Sequence, residues 1–169
     1  MKKSRVLLAG LLAALVSSCG YHLGGMKPDY MENMNTFCVE VFENNTVQPN
    51  VGMLMTTAMA NELQSDGTYR MAPRNEADFI LKGTVTHITR ESLRTNTDDT
   101  YVSSEIGLVV HVDYQIIERK SGKVLRKNEA SATGSYFNQG VNTVSAMDTA
   151  LSYATRLVAE EITLNMTAP

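Results

Sequence analysis

The sequence predicts an α+β domain in which two helices pack on one face of a mixed sheet of four to five strands. In the segment 106–116, six large apolar side chains alternate with other residues, which is the period of a half-buried strand. Two other segments, 51–63 and 147–162, repeat apolar residues at spacings of three and four, which is typical of helices with one apolar side. The order strand, helix, strands, helix places both helices over the same apolar face.

The first strand is predicted at 37–42, with Val41 on the face of Phe37 and Phe42 on the opposite face. A run of turn-forming residues follows, and Asn50 is expected to cap the first helix with its side chain. Because a right-handed crossover returns the chain beside the strand it left, the strand after this helix should run parallel to the first.

A short edge strand at 69–72, three further strands and a second helix complete the predicted domain. Alternating residues predict strands at 78–91 and 105–117. Ser121–Gly122 has the composition of a hairpin turn that leads into a further strand at 123–137. The apolar stripe over 147–162 predicts the final helix.

The N-terminus has the layout of a bacterial signal peptide. Three basic residues lie among the first five, and an uncharged apolar block of about eleven residues follows, well short of the roughly 20 needed to span a bilayer. The block ends in Val16-Ser17-Ser18-Cys19, which resembles a lipobox, the site at which a cysteine is acylated and becomes the mature N-terminus. Cys19 is therefore predicted to be lipidated. The alternative is a soluble secreted protein with a chance cysteine near its cleavage site.

These features divide the chain into three parts. Residues 1–18 are predicted to be a lipoprotein signal peptide, residues 19–35 a lipidated flexible tether, and residues 36–169 a single α+β domain. Several acyl chains on one cysteine hold a protein at a membrane permanently. Gly20, and not an aspartate, follows the cysteine, which in enterobacterial-type sorting indicates an outer-membrane location facing the periplasm.

The mature chain of 151 residues is acidic, with twelve basic and eighteen acidic residues and a net charge of −6. This balance argues against bulk electrostatic binding of nucleic acid, and the lack of tryptophan leaves no obvious stacking platform for bases. Cys38 is the only cysteine besides the lipidated Cys19, so no intramolecular disulfide is expected. It is predicted to be a small buried hydrophobe.

The sequence contains no motif for nucleotide binding, for a structural metal or for a catalytic nucleophile. A metal site built from His87, His111 and Asp113 would need further ligands, and two solvent-side strand histidines are the simpler interpretation. No enzyme activity, metal or cofactor is therefore predicted. The alternative, a hydrolase, would require His111 and Asp113 to line a cleft.

Two features remain as candidates for binding. The hairpin 119–127 holds five basic residues, the densest positive cluster of the mature chain. Arg90 and Arg94 lie in another predicted hairpin, where guanidinium groups could bind phosphate oxygens bidentately. Serine and threonine are dense on the polar side of the long strands, which favours a hydrogen-bonding interface over a core.

Four stretches resemble the LPS-assembly lipoprotein family, LptE, over essentially all of the mature chain. They are CGYHLGG at 19–25, VFENNTVQPNV at 41–51, ADFILKGTVTHI at 77–88 and the hairpin ERKSGKVL at 118–125. The resemblance implies an outer-membrane lipoprotein that plugs the β-barrel LptD, assists its assembly and takes part in delivery of lipopolysaccharide to the outer leaflet.

In that family, basic residues contact the sugar-phosphate part of lipopolysaccharide. On charge and expected exposure, the candidates here are Arg90, Arg94, Arg126 and Lys127. The expected partners are an LptD-like barrel, lipopolysaccharide and the membrane, with no nucleic acid. The alternative function is an envelope lipoprotein that binds and activates another machine, such as a peptidoglycan synthase or a secretion pore.

Overall fold

The computed structural model describes residues 26–94, 104–138 and 143–167. Within these ranges, a 3₁₀ turn at Asp29–Met31 precedes six strands and two helices. In chain order these are β1 (Thr36–Val39), β2 (Glu43–Asn44), α1 (Val51–Asp66), β3 (Arg70–Met71), β4 (Phe79–Arg94), β5 (Ser104–Glu118), β6 (Val124–Asn138) and α2 (Thr143–Thr167). The predicted α+β class, with two helices and a mixed sheet, is confirmed. The sheet has six strands because β2 and β3 pair as separate two-residue pieces.

The sheet has the strand order β3-β1-β4-β5-β6, and β2 pairs with β4 further along than β1 does. β1 runs parallel to both β3 and β4, as the crossover through α1 predicts. β4, β5 and β6 form two antiparallel pairs. One end of the sheet therefore collects the starts of β1 and β4 and the turn between β5 and β6. We call it the hairpin end, and the opposite end, where β4 finishes, the far end.

The core lies between the helices and one face of the sheet, the inner face. Every second residue of β5 from Leu108 to Ile116 is buried there, as the alternation predicts. The helices bury matching stripes, which include Met55, Met59 and Leu63 of α1 and Ala150, Leu151, Ala154, Val158, Ile162 and Met166 of α2. Neither helix of the described ranges combines the length and apolar character needed to cross a bilayer.

Three buried aromatic rings hold the hairpin end of the core together. Phe79 stacks on Phe37 with ring centroids 6.3 Å apart, and Tyr69 meets Phe79 edge-on at 5.1 Å. The Tyr69 hydroxyl donates a hydrogen bond of 3.2 Å to the backbone carbonyl of Met166, which lies 97 residues further along the chain. The start of β4 is thereby tied to the last turn of α2.

The end of β1 differs from the predicted strand. Val41 is 65 % exposed and Phe42 is buried, whereas Val41 was expected to share the buried face of Phe37. The prediction is wrong because β1 ends at Val39, so the alternation does not continue. The ring of Phe42 instead fills the space over Gly83 of β4, where a Cβ would collide with it.

Residues 26–35, predicted to belong to the tether, pack against the domain. Met31 is fully buried. The Lys27 ammonium lies 5.5 Å from the centroid of the Tyr69 ring and donates a 2.8 Å hydrogen bond to Asn35 Oδ1. Burial of a methionine side chain stabilises by about 1.5–3 kcal/mol, which contributes to holding this segment on the core. The predicted signal peptide and the lipidation site Cys19 lie outside the described residues.

Candidate functional site

The outer face of the sheet, which the helices leave uncovered, is polar. It is formed by every second residue of the long strands, since these alternate with the buried positions of the inner face. Its residues include Lys82, Thr84, His87, Thr89, Val109, His111, Asp113, Gln115, Lys127, Glu129, Ser131 and Thr133. The serine- and threonine-rich side of the strands is therefore a solvent-facing surface, as the sequence indicates.

Two histidines stack at the centre of the outer face. His87 of β4 and His111 of β5 are directly opposed, and their rings lie 4.0 Å apart, centroid to centroid, at an interplanar angle of 10°. A register shift at Thr86 precedes this pair and sets which face His87 occupies. Sequence patterns place the two histidines on separate strands, but only the pairing register brings the rings together.

Thr86 links the two histidines. Its hydroxyl oxygen lies 3.2 Å from the backbone carbonyl oxygen of His111 and 3.1 Å from His87 Nδ1. Because a hydroxyl has a single proton, it can donate to only one of these two groups. The tautomer of His87 therefore depends on which of them accepts the Thr86 proton.

The histidine pair lines a shallow cavity of about 400 Å³ together with Asp113, Glu129 and Glu161. His111 and Asp113 thus do line a common cleft, which the hydrolase alternative requires. Among the described residues, however, no three His, Cys, Asp or Glu side chains are grouped closely enough to hold a metal ion. What the site offers is a set of hydrogen-bond donors and acceptors on a wide, open surface.

Partial burial, and after it the neighbouring His87, lower the pKa of His111, although Glu91 and Glu129 act in the opposite direction. The folded protein therefore binds this proton less readily than the unfolded chain does. The corresponding stability is fully present above the unfolded pKa of about 6.5 and is lost as the pH falls below it. We expect the urea midpoint to decrease between about pH 7.5 and 5.5, and H111Q to reduce that decrease.

The control for this prediction is H87Q, which removes only the second cause of the lowered pKa and should have an intermediate effect. Asp78 does not contribute in this range. Hydrogen bonds from the backbone of Asn35 and from Thr36 lower the pKa of its carboxyl, so its contribution is lost only at a pH near 4 or below. An H111Q midpoint that falls as steeply as that of the wild type would contradict the assignment.

A groove of about 440 Å³ lies between the loop 45–48, β4 and α2. Its apolar lining comes from Ile88, Leu108, Leu151 and Met147. Arg90 lines the groove as well, with Nη2 3.3 Å from Met147 Sδ. Sequence patterns do not reveal this groove, because residues 45–48 have only the composition of a turn. Val47, an apolar residue in a run of turn formers, is the one signal that marks it, and its side chain is fully exposed.

The four candidate lipopolysaccharide contacts do not meet at one site. Arg90 lies on the inner side of β4 toward the far end, and Arg94 is the last residue of that strand. Arg126 and Lys127 lie near the start of β6, opposite Ile116 and Gln115. Along β5, the position opposite Arg90 is eight residues from the position opposite Arg126, which is roughly 26 Å. Arg126 and Lys127 also point to opposite faces, so the set remains a prediction without a common surface.

Cys38 is partly buried beside the outer edge of β1. Burial raises the pKa of its thiol, and the carboxylate of Glu40 raises it further. The thiol is therefore protonated at neutral pH and a poor nucleophile. The expected low reactivity agrees with this, but the expected full burial does not, because the side chain is only partly buried.

No protein-family model matches the chain, and no curated protein matches it in sequence. Several solved structures share its fold. The PelC dodecamer from Paraburkholderia phytofirmans is 21 % identical with a TM-score of 0.53, over 86 % of this chain and 96 % of PelC. Protein XCC0632 of the DUF330 family from Xanthomonas campestris is 9 % identical with a TM-score of 0.56, over 87 % and 88 %. A minor lipoprotein from Acinetobacter baumannii is 21 % identical with a TM-score of 0.51, over 80 % and 94 %.

These structures correct the resemblance drawn from sequence. The identification with the LptE family is wrong, because the similar solved structures are PelC, a DUF330 protein and a minor lipoprotein. The stretches behind the resemblance are short: 19–25 lies outside the described residues, 41–51 holds β2 and the loop before α1, 77–88 is the start of β4, and 118–125 is a hairpin turn. Such local pieces recur in different folds. The chain shares its α+β fold with PelC, with XCC0632 and with the minor lipoprotein from Acinetobacter baumannii.

Proposed function

We propose that this chain is a lipid-anchored envelope protein that catalyses no reaction and acts by binding another envelope protein. The observation that carries the proposal is the Val-Ser-Ser-Cys sequence ending at Cys19, seven residues before the first described residue, Met26. Seven residues reach at most about 25 Å when extended. Because residues 26–35 pack on the domain, an acylated Cys19 would hold the whole domain close to the membrane surface.

The outer face supports binding as the activity. Its shallow cavity offers the histidine pair and the hydroxyls of Thr86 and Ser131 as hydrogen-bonding groups for a partner. Its lysines and glutamates stand in separate rows across the strands, with Lys82 and Lys127 in one row and Glu129 in the next. These charged and hydroxyl groups can make direct and water-mediated hydrogen bonds to a partner protein.

The finer predictions depended on the resemblance that the solved structures overturn. An LptD-like barrel and lipopolysaccharide therefore have no independent support, and the partner is proposed only as a protein of the envelope. The outer membrane is proposed as the location because Gly20 follows the cysteine. A minor lipoprotein with the same fold favours the lipid anchor itself.

Replacement of the anchor residue tests the proposal. C19A should move the protein from the membrane fraction to the soluble fraction and should remove the acyl mass from the intact protein, because each buried CH₂ contributes about 0.8 kcal/mol of membrane affinity. C38A is the matched control, since it removes the other cysteine and should leave the protein in the membrane fraction. An intact mass without acyl groups in the wild-type protein would refute the anchor.

A second candidate function is self-assembly into a homo-oligomer. PelC, which has the same fold, is a dodecamer. In this chain β6 is the edge of the sheet, with 15 residues. At its middle, the Ser131 N–H points away from β5 and donates to Glu161 Oε2 at 3.3 Å. The mass of the detergent-solubilised protein separates the two candidates: a multiple of this chain alone indicates self-assembly, and a second polypeptide in fixed ratio indicates a different partner.

A further inference from the structure

The turn between β5 and β6 concentrates positive charge in an acidic protein. Five basic residues, Arg119, Lys120, Lys123, Arg126 and Lys127, lie within nine positions, which we call the basic hairpin. The rest of the mature chain has seven basic and eighteen acidic residues. The charge of the domain is therefore strongly divided, with one positive segment and a remainder of net charge −11.

The basic hairpin lies at the hairpin end of the sheet. The Arg119 N–H donates to the Asp78 carbonyl at 3.0 Å, just before β4 begins. The Asp78 carboxylate in turn accepts the N–H groups of Asn35 and Thr36, at the start of β1. These bonds place the basic hairpin beside the point at which the chain enters the sheet.

The segment that leads toward Cys19 passes the same end. The guanidinium group of Arg126 lies 5.8 Å from the centroid of the Tyr30 ring. Lys27 contacts Asn35 and Tyr69 there as well. From Met26, seven residues remain to Cys19, a reach of about 25 Å at most. An acylated Cys19 therefore holds this end of the domain, and not the far end, next to the bilayer.

The positive side chains are available at this end. Lys120, Lys123, Arg126 and Lys127 are exposed, whereas Arg119 donates its Nε–H to the Ala77 carbonyl. The nearby acids are partly occupied by hydrogen bonds: Glu118 accepts from Ser121, and Asp78 accepts from backbone amides. Gly122, with φ of +71°, makes the tight turn that brings the lysines to the tip.

We infer that the basic hairpin is a second membrane contact, which binds the phosphate groups of anionic phospholipids beside the anchored cysteine. The inference rests on the proposed function, because the tether must first hold the hairpin at the surface. Attraction between lysine and an anionic surface decays over about 8–10 Å at physiological salt, so the effect requires the proximity that a short tether provides. The domain is then oriented with its hairpin end toward the lipid and its groove away from it.

Amine labelling of the lipidated mature protein tests the inference. The protein is reconstituted in vesicles of phosphatidylcholine alone or with phosphatidylglycerol, and lysine modification is read by mass spectrometry. In the anionic vesicles, the extent of modification should be at least about threefold lower at Lys120, Lys123 and Lys127 than in the phosphatidylcholine vesicles. High salt should abolish this protection. Lys82, which lies in the same row of the outer face as Lys127 but is paired with Glu40, should be protected less than the hairpin lysines.

Charge reversal supplies the matched variants. K120E/K123E should remove the protection of Lys127, whereas R90E, which reverses a charge at the far end, should leave it intact. Equal urea midpoints for both variants and the wild type confirm that the exposed turn still folds. Equal labelling of the hairpin lysines in both vesicle types would overturn the inference. So would protection by inorganic phosphate in phosphatidylcholine vesicles, which would indicate a site for a soluble anion. An unmodified Cys19, read from the intact mass, would instead refute the proposed function.

Discussion

Replacement of Phe79 by alanine should lower the free energy of unfolding by about 3–5 kcal/mol. Phe79 is fully buried at the start of β4 and contacts both Phe37 and Tyr69 through its ring. Its removal leaves a cavity where β4 pairs with β1. The parallel pairings of β1 with β3 and with β4 each cover only a few residues. Because Tyr69 also holds the last turn of α2, the loss should extend to the helix.

Urea denaturation followed by circular dichroism measures this effect. F79L keeps most of the buried volume and should show a smaller loss, while T89A on the outer face should change stability by less than about 0.5 kcal/mol. A decrease below about 1 kcal/mol for F79A would mean that the hairpin end of the core does not pack as the structure shows.

Replacement of Gly134 by alanine should cost about 3 kcal/mol, at the upper end of the range for overpacked cores. Gly134 of β6 lies under the backbone of α2. A Cβ there would collide with the carbonyl oxygen of Ala150 and would lie 2.9 Å from its carbonyl carbon and 3.2 Å from Ala154 N. Backbone atoms cannot rotate away as a flexible side chain can, so the whole helix would have to move outward.

G107A is the matched control, since it makes the same change in the neighbouring strand on the opposite face. There the nearest atoms, at 3.2 Å, belong to the side chains of Leu93 and Thr133, which can adjust. The reduced entropy of the unfolded chain favours alanine by about 0.4–1 kcal/mol, so G107A should be close to neutral. Equal losses of stability for G134A and G107A would show that the close approach of α2 to β6 does not cause the loss in G134A. Thermal or urea unfolding measures both.

The long elements could be predicted because their pattern repeats over many residues. Alternation from Ile106 to Ile116 determines which face of β5 is buried, whatever the detailed geometry of its ends. The stripe of α2 is almost as regular: of the residues predicted to form it, Ala150, Leu151, Ala154, Val158 and Ile162 are buried, whereas Leu157 is only partly buried. Each such pattern contains enough apolar positions that one local exception does not alter the result.

Short elements could not be predicted in the same way. The exchange of Val41 and Phe42 between faces depends on where β1 ends, and that is decided by the pairing of β2 with β4. Asn50 precedes α1 as predicted, but it has φ of 65° and no cap hydrogen bond from its side chain. Its left-handed backbone makes the turn instead, a role that asparagine tolerates better than most residues.

The arrangement of the candidate binding residues could not be predicted from local sequence either. Charge and composition identify Arg90 and Arg126 as exposed basic residues, but only the register of β4, β5 and β6 shows that they lie at different ends. The stacking of His87 on His111 likewise follows from pairing across strands, after a register shift that no periodicity reveals. The basic hairpin, by contrast, is local in sequence, and its composition and turn could be predicted directly.

The hydrogen bond from Tyr69 to the carbonyl of Met166 has a consequence for biogenesis. The core at the start of β4 cannot close until the last turn of the C-terminal helix has been synthesised, because that helix supplies both the covering apolar stripe and the acceptor. Contacts between such distant residues form late, since a long loop must close before they stabilise anything. The start of β4 therefore reaches its native packing only after the residues around Met166 are available.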